Sequence, residues 1–188
     1  DSLFFSISLW NDPIFLGHYN EKYLEEFKPY LPVITDEDMK LISQPLDFVG
    51  LNIYFGDKIK AAKDGNPEVV KYPAGYQMSA MDWAISPKCI YWGTKFFFEK
   101  YNVPIYIAEN GISCRDYISP DGNVHDRQRI DFLSSYLKEL KRSSDDGTDI
   151  RGYFHWSLMD NFEWSFGYKE RFGLIYVDFE TQERILKD

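Results

Sequence analysis

Three short runs of the chain are apolar on both faces instead of alternating between apolar and polar positions. They lie at residues 47–54, 104–108 and 152–158. Runs of this kind are typical of strands in a parallel sheet that is buried on both sides. The pattern therefore predicts three core strands.

Helical periodicity separates these strands. Between the second and third runs, one stripe at helical spacing is formed by Ile130, Leu133, Leu137 and Leu140. Asp126 is placed to cap this helix, and Ser86 followed by Pro87 predicts the start of another helix that runs to Tyr101. A further helix is expected near residues 35–42, capped by Thr35. Strands alternating with helices predict an α/β fold with a parallel sheet.

Two segments, 56–83 and 111–124, are rich in turn-forming residues and are expected to be long, irregular loops. Both follow strands, and in a βα barrel the loops after strands build the active-site face. A complete eight-stranded barrel needs about 250 residues. The chain has 188 residues, so residues 1–188 are expected to form a single segment of a larger barrel domain.

Composition narrows the possible partners. Aromatic residues make up 18% of the chain, which suits either an ordinary core or stacking against sugar rings. A net charge of −9 argues against nucleic acid. No signal peptide or membrane-spanning run is visible, so no membrane partner is expected, although the first residue is Asp1 and targeting information can lie upstream. Cys89 and Cys114 have no disulfide or metal-ligand spacing and fit a reducing, cytoplasmic location.

Glu109 is the first candidate for chemistry. It directly follows the predicted strand at 104–108, where a barrel carboxylate points toward bound substrate. Glycoside hydrolysis requires two carboxylates that flank the bond, one of them acting as nucleophile or base. From position alone, a turn-capping role for Glu109 is equally acceptable.

Four motifs carry a resemblance to a known family. PIYIAENG at 104–111 resembles the nucleophile motif of glycoside hydrolase family 1, the β-glucosidase family, and residues 152–173 (GYFHWSLMDNFEWSFGYKERFG) resemble its C-terminal signature. The run at 52–54 is similar to its Asn-x-Tyr strand, and the ending VDFETQERILKD is similar to its tail. The resemblance spans the whole chain and implies the C-terminal part of a (β/α)₈ TIM barrel.

The resemblance implies a retaining mechanism that needs no metal or cofactor. Glu109 would attack the anomeric carbon, and Tyr54 would hydrogen-bond this nucleophile. Asn52 would help to bind the sugar 2-hydroxyl. The implied substrate is a β-glucoside or a short β-linked oligosaccharide.

The remaining implied sugar contacts come mainly from the C-terminal signature. Glu163 would accept hydrogen bonds from the 4- and 6-hydroxyls, with the Trp164 N–H nearby. Trp156 would be the stacking floor, and Phe172 would close one wall. Trp83 resembles an aglycone-side residue of the family, but it precedes Ala84 where members commonly carry Glu, which puts leaving-group preference in doubt. A phosphate site of the Ser-x-Lys-x-Tyr type is absent, so neutral hexosides are favoured.

Several of these residues also have structural interpretations. Trp156 and Trp83 fit a barrel core, and Glu163 could lie on the surface, although its aromatic neighbours disfavour this. Structural or solvated roles are expected for Asp160, Asn161, Lys169 and Arg171. His155 alternates with Trp156 along the predicted strand, so it is interpreted as a packing residue.

The acid/base of the family lies in an Asn-Glu-Pro motif, and this chain does not contain one. The most similar run is Asn66-Pro67-Glu68, which has the residues in the wrong order and lies in a predicted loop. The chain is therefore expected to need the N-terminal part of the barrel, in the same longer chain or in a separate one. A catalytically silent sugar-binding protein and an inactive truncated half-barrel remain alternatives.

Overall fold

The computed structural model describes residues 7–188, which group into two compact units. The first unit comprises residues 7–47 and 58–70, and the second comprises residues 48–57 and 71–188. The elements in chain order are α1 Leu9–Leu16, α2 Glu21–Glu26, α3 Asp36–Ile42, β1 Val49–Asn52, β2 Ile59–Ala61, β3 Pro67–Val69, α4 Lys88–Tyr101, β4 Ile105–Asn110, α5 Arg127–Asp145, β5 Ile150–His155, β6 Ile175–Val177 and β7 Arg184–Leu186. That residues 1–188 form one segment of a barrel domain stays a prediction.

The first unit contains α1 to α3 and the antiparallel hairpin β2–β3. Helix α3 begins with a capping box, because the Thr35 hydroxyl accepts from Asp38 N and the Asp38 carboxylate accepts from Thr35 N. The predicted cap and helix are confirmed. The hairpin corrects the prediction of an irregular loop over 56–83. Glu68, from the Asn66-Pro67-Glu68 run, lies on β3 and forms an exposed ion pair with Lys60 at 3.2 Å.

The second unit is built on a parallel sheet with strand order β1-β4-β5. Helix α4 lies between β1 and β4 along the chain, and α5 lies between β4 and β5, as parallel connections require. The central strand is the most buried, with Ile105 and Ile107 fully inaccessible to solvent. The predicted parallel α/β architecture is confirmed.

Strand boundaries differ from the predicted ones at two places that matter for the site. Strand β4 continues to Asn110, so Glu109 lies within it and not directly after it. Strand β5 begins at Ile150 and ends at His155, before the predicted end at residue 158. The last hydrogen bond to β4 comes from the next residue, where Trp156 N donates to Asn110 O. Ser157 N donates to Phe172 O instead, so the pairing with β4 stops there.

Helix α4 agrees with the predicted start and with the end at Tyr101. Helix α5 forms where predicted, but another face is buried: Arg129, Phe132, Tyr136, Leu140 and Ser143. Ile130 and Leu137 are 40% and 42% exposed, so the predicted apolar stripe is mostly wrong. Ion pairs hold Arg129 inside, and the rings of Phe132 and Tyr136 stack at 3.9 Å. Asp126 makes no capping bond and instead binds Arg129 at 2.6 Å.

No helix within residues 7–188 is both long enough and apolar enough to cross a membrane.

Candidate active site

Glu109, the penultimate residue of β4, is held by Tyr54 from the segment after β1. The Tyr54 hydroxyl donates a 2.7 Å hydrogen bond to Oε2 of Glu109. The backbone joins the same segments, because Ile53 N donates to Glu109 O at 3.0 Å. Burial, the hydrogen bond to Glu109 and the charges of Glu109 and Glu163 raise the pKa of Tyr54 far above its usual value. Tyr54 is therefore protonated near neutral pH and donates this hydrogen bond.

Asn110, the next residue along β4, fixes the end of the strand from three sides. Its Nδ2 donates to Ile53 O at 2.7 Å, and its Oδ1 accepts from the Tyr153 hydroxyl at 2.8 Å. Its backbone carbonyl accepts from Trp156 N at 2.9 Å. Neither Asn110 nor Tyr153 was predicted as a site residue from the sequence. The only available signal was the polar Asn directly after the candidate nucleophile.

Tyr54 is in turn positioned by Tyr136 of α5. The Tyr136 hydroxyl donates to Tyr54 O at 2.8 Å and accepts from Ser86 N at 3.0 Å. Tyr136 of α5 thus holds the segment after β1, and this segment carries Tyr54, the hydrogen-bond donor to Glu109. Sequence periodicity missed Tyr136 because the predicted stripe followed the aliphatic residues of α5.

Gly111 allows β4 and β5 to meet closely beside Glu109. A Cβ at this position would lie 1.8 Å from the backbone oxygen of Trp156. That distance leaves no room for any side chain, because the obstructing atom belongs to the backbone. The glycine of the Glu-Asn-Gly run therefore serves a close approach of two backbones.

A cavity of about 360 Å³ opens beside Glu109. It is lined by Tyr54, Met81, Trp83, Glu109, Trp156, Glu163, Trp164, Phe166 and Phe172. Seven of these side chains were predicted as site residues, and Met81 and Phe166 were not. Asn52 is not among them: it is exposed and pairs with Glu109 across the β1–β4 ladder. The structure thus brings together every predicted site residue except Asn52, which lies adjacent.

Aromatic rings form one wall of this cavity. The Trp83 ring lies 5.4 Å from that of Tyr54, 5.2 Å from Phe55 and 6.3 Å from Phe172. Phe172 is only 2% exposed. Flat apolar rings next to carboxylates form a surface on which the C–H face of a sugar can stack while its hydroxyls are hydrogen-bonded.

Glu163 is the second carboxylate of the cavity. Burial raises its pKa, a hydrogen bond from the Trp156 side chain lowers it, and the negative charges of Glu109 and Glu170 raise it further. The net effect is a raised pKa. The Trp156 side chain supplies this hydrogen bond, whereas the Trp164 N–H was expected to lie near the sugar hydroxyls. Trp164 is 82% exposed and has a left-handed backbone, with φ of 43°.

The residues for which only structural or solvated roles were expected lie outside this cavity. His155 contacts the backbone of Phe172, with Nε2 donating to its carbonyl at 3.4 Å. Asn161 Nδ2 donates to Ser157 Oγ at 3.0 Å and so holds its own loop. Lys169 is exposed, whereas Arg171 forms a 2.6 Å ion pair with the buried Asp160. Within residues 7–188, no cluster of His, Cys, Asp and Glu side chains could hold a metal ion.

Comparison with known proteins agrees with this geometry. The sequence model of glycosyl hydrolase family 1 matches residues 2–188. Beta-glucosidase A of Thermotoga maritima is 44% identical over 181 residues, which are 96% of this chain and 41% of that protein. The bifunctional beta-D-glucosidase/beta-D-fucosidase of Bifidobacterium breve is 38% identical, with 94% of this chain and 43% of that protein covered.

Solved structures give the same result. The β-glucosidase from Thermotoga maritima in complex with castanospermine superposes with a TM-score of 0.86 and 43% identity, covering 96% of this chain and 41% of that chain. The fold is therefore a partial α/β barrel. Within that class, the chain belongs to glycosyl hydrolase family 1. It spans about two fifths of the length of these relatives.

Proposed function

We propose that this chain is the nucleophile-bearing part of a retaining β-glucosidase. The observation that carries the proposal is the 2.7 Å hydrogen bond from Tyr54 to Glu109 at the end of a barrel strand, facing an aromatic-lined cavity. Relatives named β-glucosidases, including Beta-glucosidase A of Thermotoga maritima, support the same activity.

In this mechanism Glu109 attacks the anomeric carbon of a terminal β-D-glucosyl residue while a second carboxylic acid protonates the departing oxygen. The product of this step is a covalent glycosyl-enzyme ester and a free aglycone. Water, deprotonated by the same second carboxylate, then attacks the anomeric carbon and releases Glu109 and glucose. The Tyr54 hydroxyl holds one oxygen of Glu109, so the other oxygen can attack.

Glucose binding is assigned to the rest of the cavity. Glu163 accepts from the 4- and 6-hydroxyls, Trp164 supplies its N–H nearby, and Trp156 provides the stacking surface. Phe172 backs this surface, and Trp83 lies toward the aglycone. Asn52, which pairs with Glu109 across the β1–β4 ladder, is assigned to the 2-hydroxyl.

The substrate class follows from these contacts. It comprises neutral β-glucosides and short β-linked oligosaccharides, because a carboxylate facing the 6-position repels a 6-phosphate. Names of relatives agree with this choice: one from Thermotoga neapolitana is a 1,4-beta-D-glucan glucohydrolase. The Bifidobacterium breve relative also acts as a fucosidase, which supports side activity toward fucosides.

The second carboxyl group is assigned to the remaining part of the barrel, in the same longer chain or in a separate chain. A retaining site needs it about 5–5.5 Å from the nucleophile, and the sequence contains no Asn-Glu-Pro motif. Within residues 7–188, β1 and β5 each pair with β4 alone. Near the β5 edge, Phe154 and Leu158 are 60% and 64% exposed. These features suit a surface covered by further barrel, and the isolated segment should self-associate.

A cytoplasmic location completes the proposal. It is supported by the two free thiols of Cys89 and Cys114. Burial raises the pKa of each thiol to about 11, so both stay protonated and unreactive near neutral pH.

The test uses the complete protein, meaning this segment together with the rest of its barrel. A 2-deoxy-2-fluoro-β-glucoside with a good leaving group should add one fluoroglucosyl unit, located on Glu109 by peptide mass spectrometry. Glu109→Ala should abolish both labelling and hydrolysis of an aryl β-glucoside. Glu99→Ala, at an exposed carboxylate of α4, is the matched control and should change neither.

The alternatives give different results. Glucose binding without labelling would identify a silent sugar-binding protein. The absence of binding, labelling and hydrolysis would identify an inactive half-barrel. Labelling on a carboxylate other than Glu109 would contradict the assignment of the nucleophile.

A further inference from the structure

The loop from residue 156 to residue 174, called here the sugar-facing loop, supplies more than half of the cavity lining. Its contributions are Trp156, Glu163, Trp164, Phe166 and Phe172. The loop has almost no regular structure, only a single 3₁₀ turn at Trp164–Phe166. Something other than a helix or strand must therefore hold Glu163 and Trp164 in place.

Asp160 is the anchor of this loop. Its side chain is fully buried and accepts from Gly173 N at 2.9 Å and from Val177 N at 3.4 Å. It also receives the Arg171 guanidinium at 2.6 Å and the Lys187 ammonium at 2.9 Å. Asp160 therefore ties the first part of the loop to its last residues and to the strand that follows.

Lys187 connects this anchor to a second loop. Its ammonium is fully buried and lies 2.9 Å from Asp160 and 2.6 Å from Asp116. Asp116 belongs to the loop that follows β4, the strand of Glu109. The backbone around Lys187 is fixed as well, because Lys187 N donates to Leu174 O and a bridge joins Lys187 to Val124. One ammonium thus joins the loop after the nucleophile strand to the sugar-facing loop.

The surrounding charges balance. Asp116 also binds Arg129 at 2.7 Å, and Arg129 binds Asp126 at 2.6 Å. Together with Asp160, Arg171 and Lys187, these residues form a group of three carboxylates and three cations. Removal of the Lys187 charge alone would leave Asp116 and Asp160 as neighbouring buried anions with too few cations. An uncompensated buried charge is costly, so the two loops would be expected to rearrange.

We infer that Lys187, which does not line the cavity, is a positioning residue that holds the sugar-facing loop, and so Glu163 and Trp164, in register with Glu109 through Asp160 and Asp116. Its role in sugar recognition rests on the proposed function. Its role in loop order does not, because it follows from the contacts alone.

The test compares substrates in the complete protein. An aryl β-xyloside lacks the hydroxymethyl group and its 6-hydroxyl, so it depends less on Glu163 than an aryl β-glucoside does. For Lys187→Met we expect kcat/KM for the glucoside to fall about tenfold or more, and for the xyloside distinctly less. Glu163→Gln should change the glucoside-to-xyloside ratio in the same direction. Lys187→Arg, which keeps the charge, should recover most of the loss.

Arg184→Met is the matched control, because Arg184 lies three residues away on β7 and its exposed side chain bonds only to the Gln182 carbonyl in the described structure. It should leave both substrates unaffected. Equal losses for glucoside and xyloside in Lys187→Met would reduce Lys187 to a general stability residue and overturn its positioning role. An unchanged Lys187→Met would overturn it as well.

A readout independent of activity separates this inference from the proposed function. Hydrogen exchange of peptides covering residues 157–178 should accelerate in Lys187→Met, with α4 unchanged, since the Gly173 and Val177 amides are the ones that Asp160 holds. If the parent protein neither hydrolyses nor labels, the proposed function fails and exchange still tests the positioning. If exchange in 157–178 is unchanged, the positioning role fails even in an active enzyme.

Discussion

The Tyr54 hydroxyl lies 2.7 Å from Oε2 of Glu109, and this hydrogen bond joins the segment after β1 to the end of β4. A hydrogen bond to a charged group contributes about 1.5–3 kcal/mol. We therefore expect Tyr54→Phe to lower kcat for an aryl β-glucoside by about 10- to 100-fold. The measurement is steady-state kinetics together with the rate of labelling by the fluoroglucoside, and both should fall.

Tyr91→Phe provides the control for this substitution. The Tyr91 hydroxyl also donates to a carboxylate, Asp146, at 2.8 Å, but it lies on α4 and does not line the cavity. Its removal should leave kcat unchanged. A Tyr54→Phe enzyme with the kinetics of the parent would mean that the orientation of Glu109 is set by other contacts.

The close approach at Gly111 predicts a large loss of stability on adding one methyl group. Gly111→Ala would place Cβ 1.8 Å from the Trp156 oxygen, so the ends of β4 and β5 must separate. We expect a cost of about 3 kcal/mol or more in the free energy of unfolding, measured by chemical denaturation. Gly122→Ala should cost only about 1 kcal/mol, because that glycine has φ of 85° with open space around it. Equal costs would contradict the geometry.

Much of the sheet was predictable because buried parallel strands carry a composition signal. What could not be predicted is where each strand ends, since this depends on partners distant in sequence. Glu109 lies within β4 because its carbonyl pairs with Ile53. The buried face of α5 was missed because a fully buried arginine, Arg129, is stabilised by Asp126, by Asp116 and by the Arg171 carbonyl, and the last of these is far away along the chain.

The site was more predictable than the helix faces, because the resemblance assigned residues one by one. Of these, Asn52 alone does not line the cavity. The supporting residues Asn110, Tyr136 and Lys187 were not found, since each acts through a contact with a residue far away along the chain. Only the folded structure shows that the Lys187 tail lies against Asp116 and Asp160.

Glu163 predicts a pH effect on sugar recognition. Burial and the charges of Glu109 and Glu170 raise its pKa above 4.5, against the lowering effect of the Trp156 hydrogen bond. As pH falls through this raised pKa, Glu163 becomes protonated and loses acceptor capacity for sugar hydroxyls. KM for a β-glucoside should therefore rise in acid sooner than KM for a β-xyloside. In Glu163→Gln the difference between the two pH profiles should vanish, and its persistence would assign the titration elsewhere.

His155 predicts a pH dependence of stability that is separate from catalysis. Burial lowers its pKa from 6.5 to about 4, helped by the positive charges of Arg129 and Lys187 and opposed by backbone contacts with Phe172 and Asn110. The unfolded chain therefore takes up a proton at a higher pH than the folded chain does. The stabilisation is fully present above pH 6.5 and is lost as pH falls toward 4. Because the ring is partly exposed, we expect a loss of about 1–2 kcal/mol.

Denaturation midpoints at several pH values between 7 and 4 test this, comparing the parent protein with His155→Gln. The variant should lose less stability on acidification, because it has no imidazole to protonate on unfolding. His125→Gln is a control of opposite sign: Asp188 and Asp121 raise the pKa of His125, so its contribution is present at low pH and disappears as pH rises. Parallel losses of stability in His155→Gln and the parent between pH 6.5 and 4 would contradict this prediction. They would mean that His155 is protonated in the folded protein as readily as in the unfolded chain.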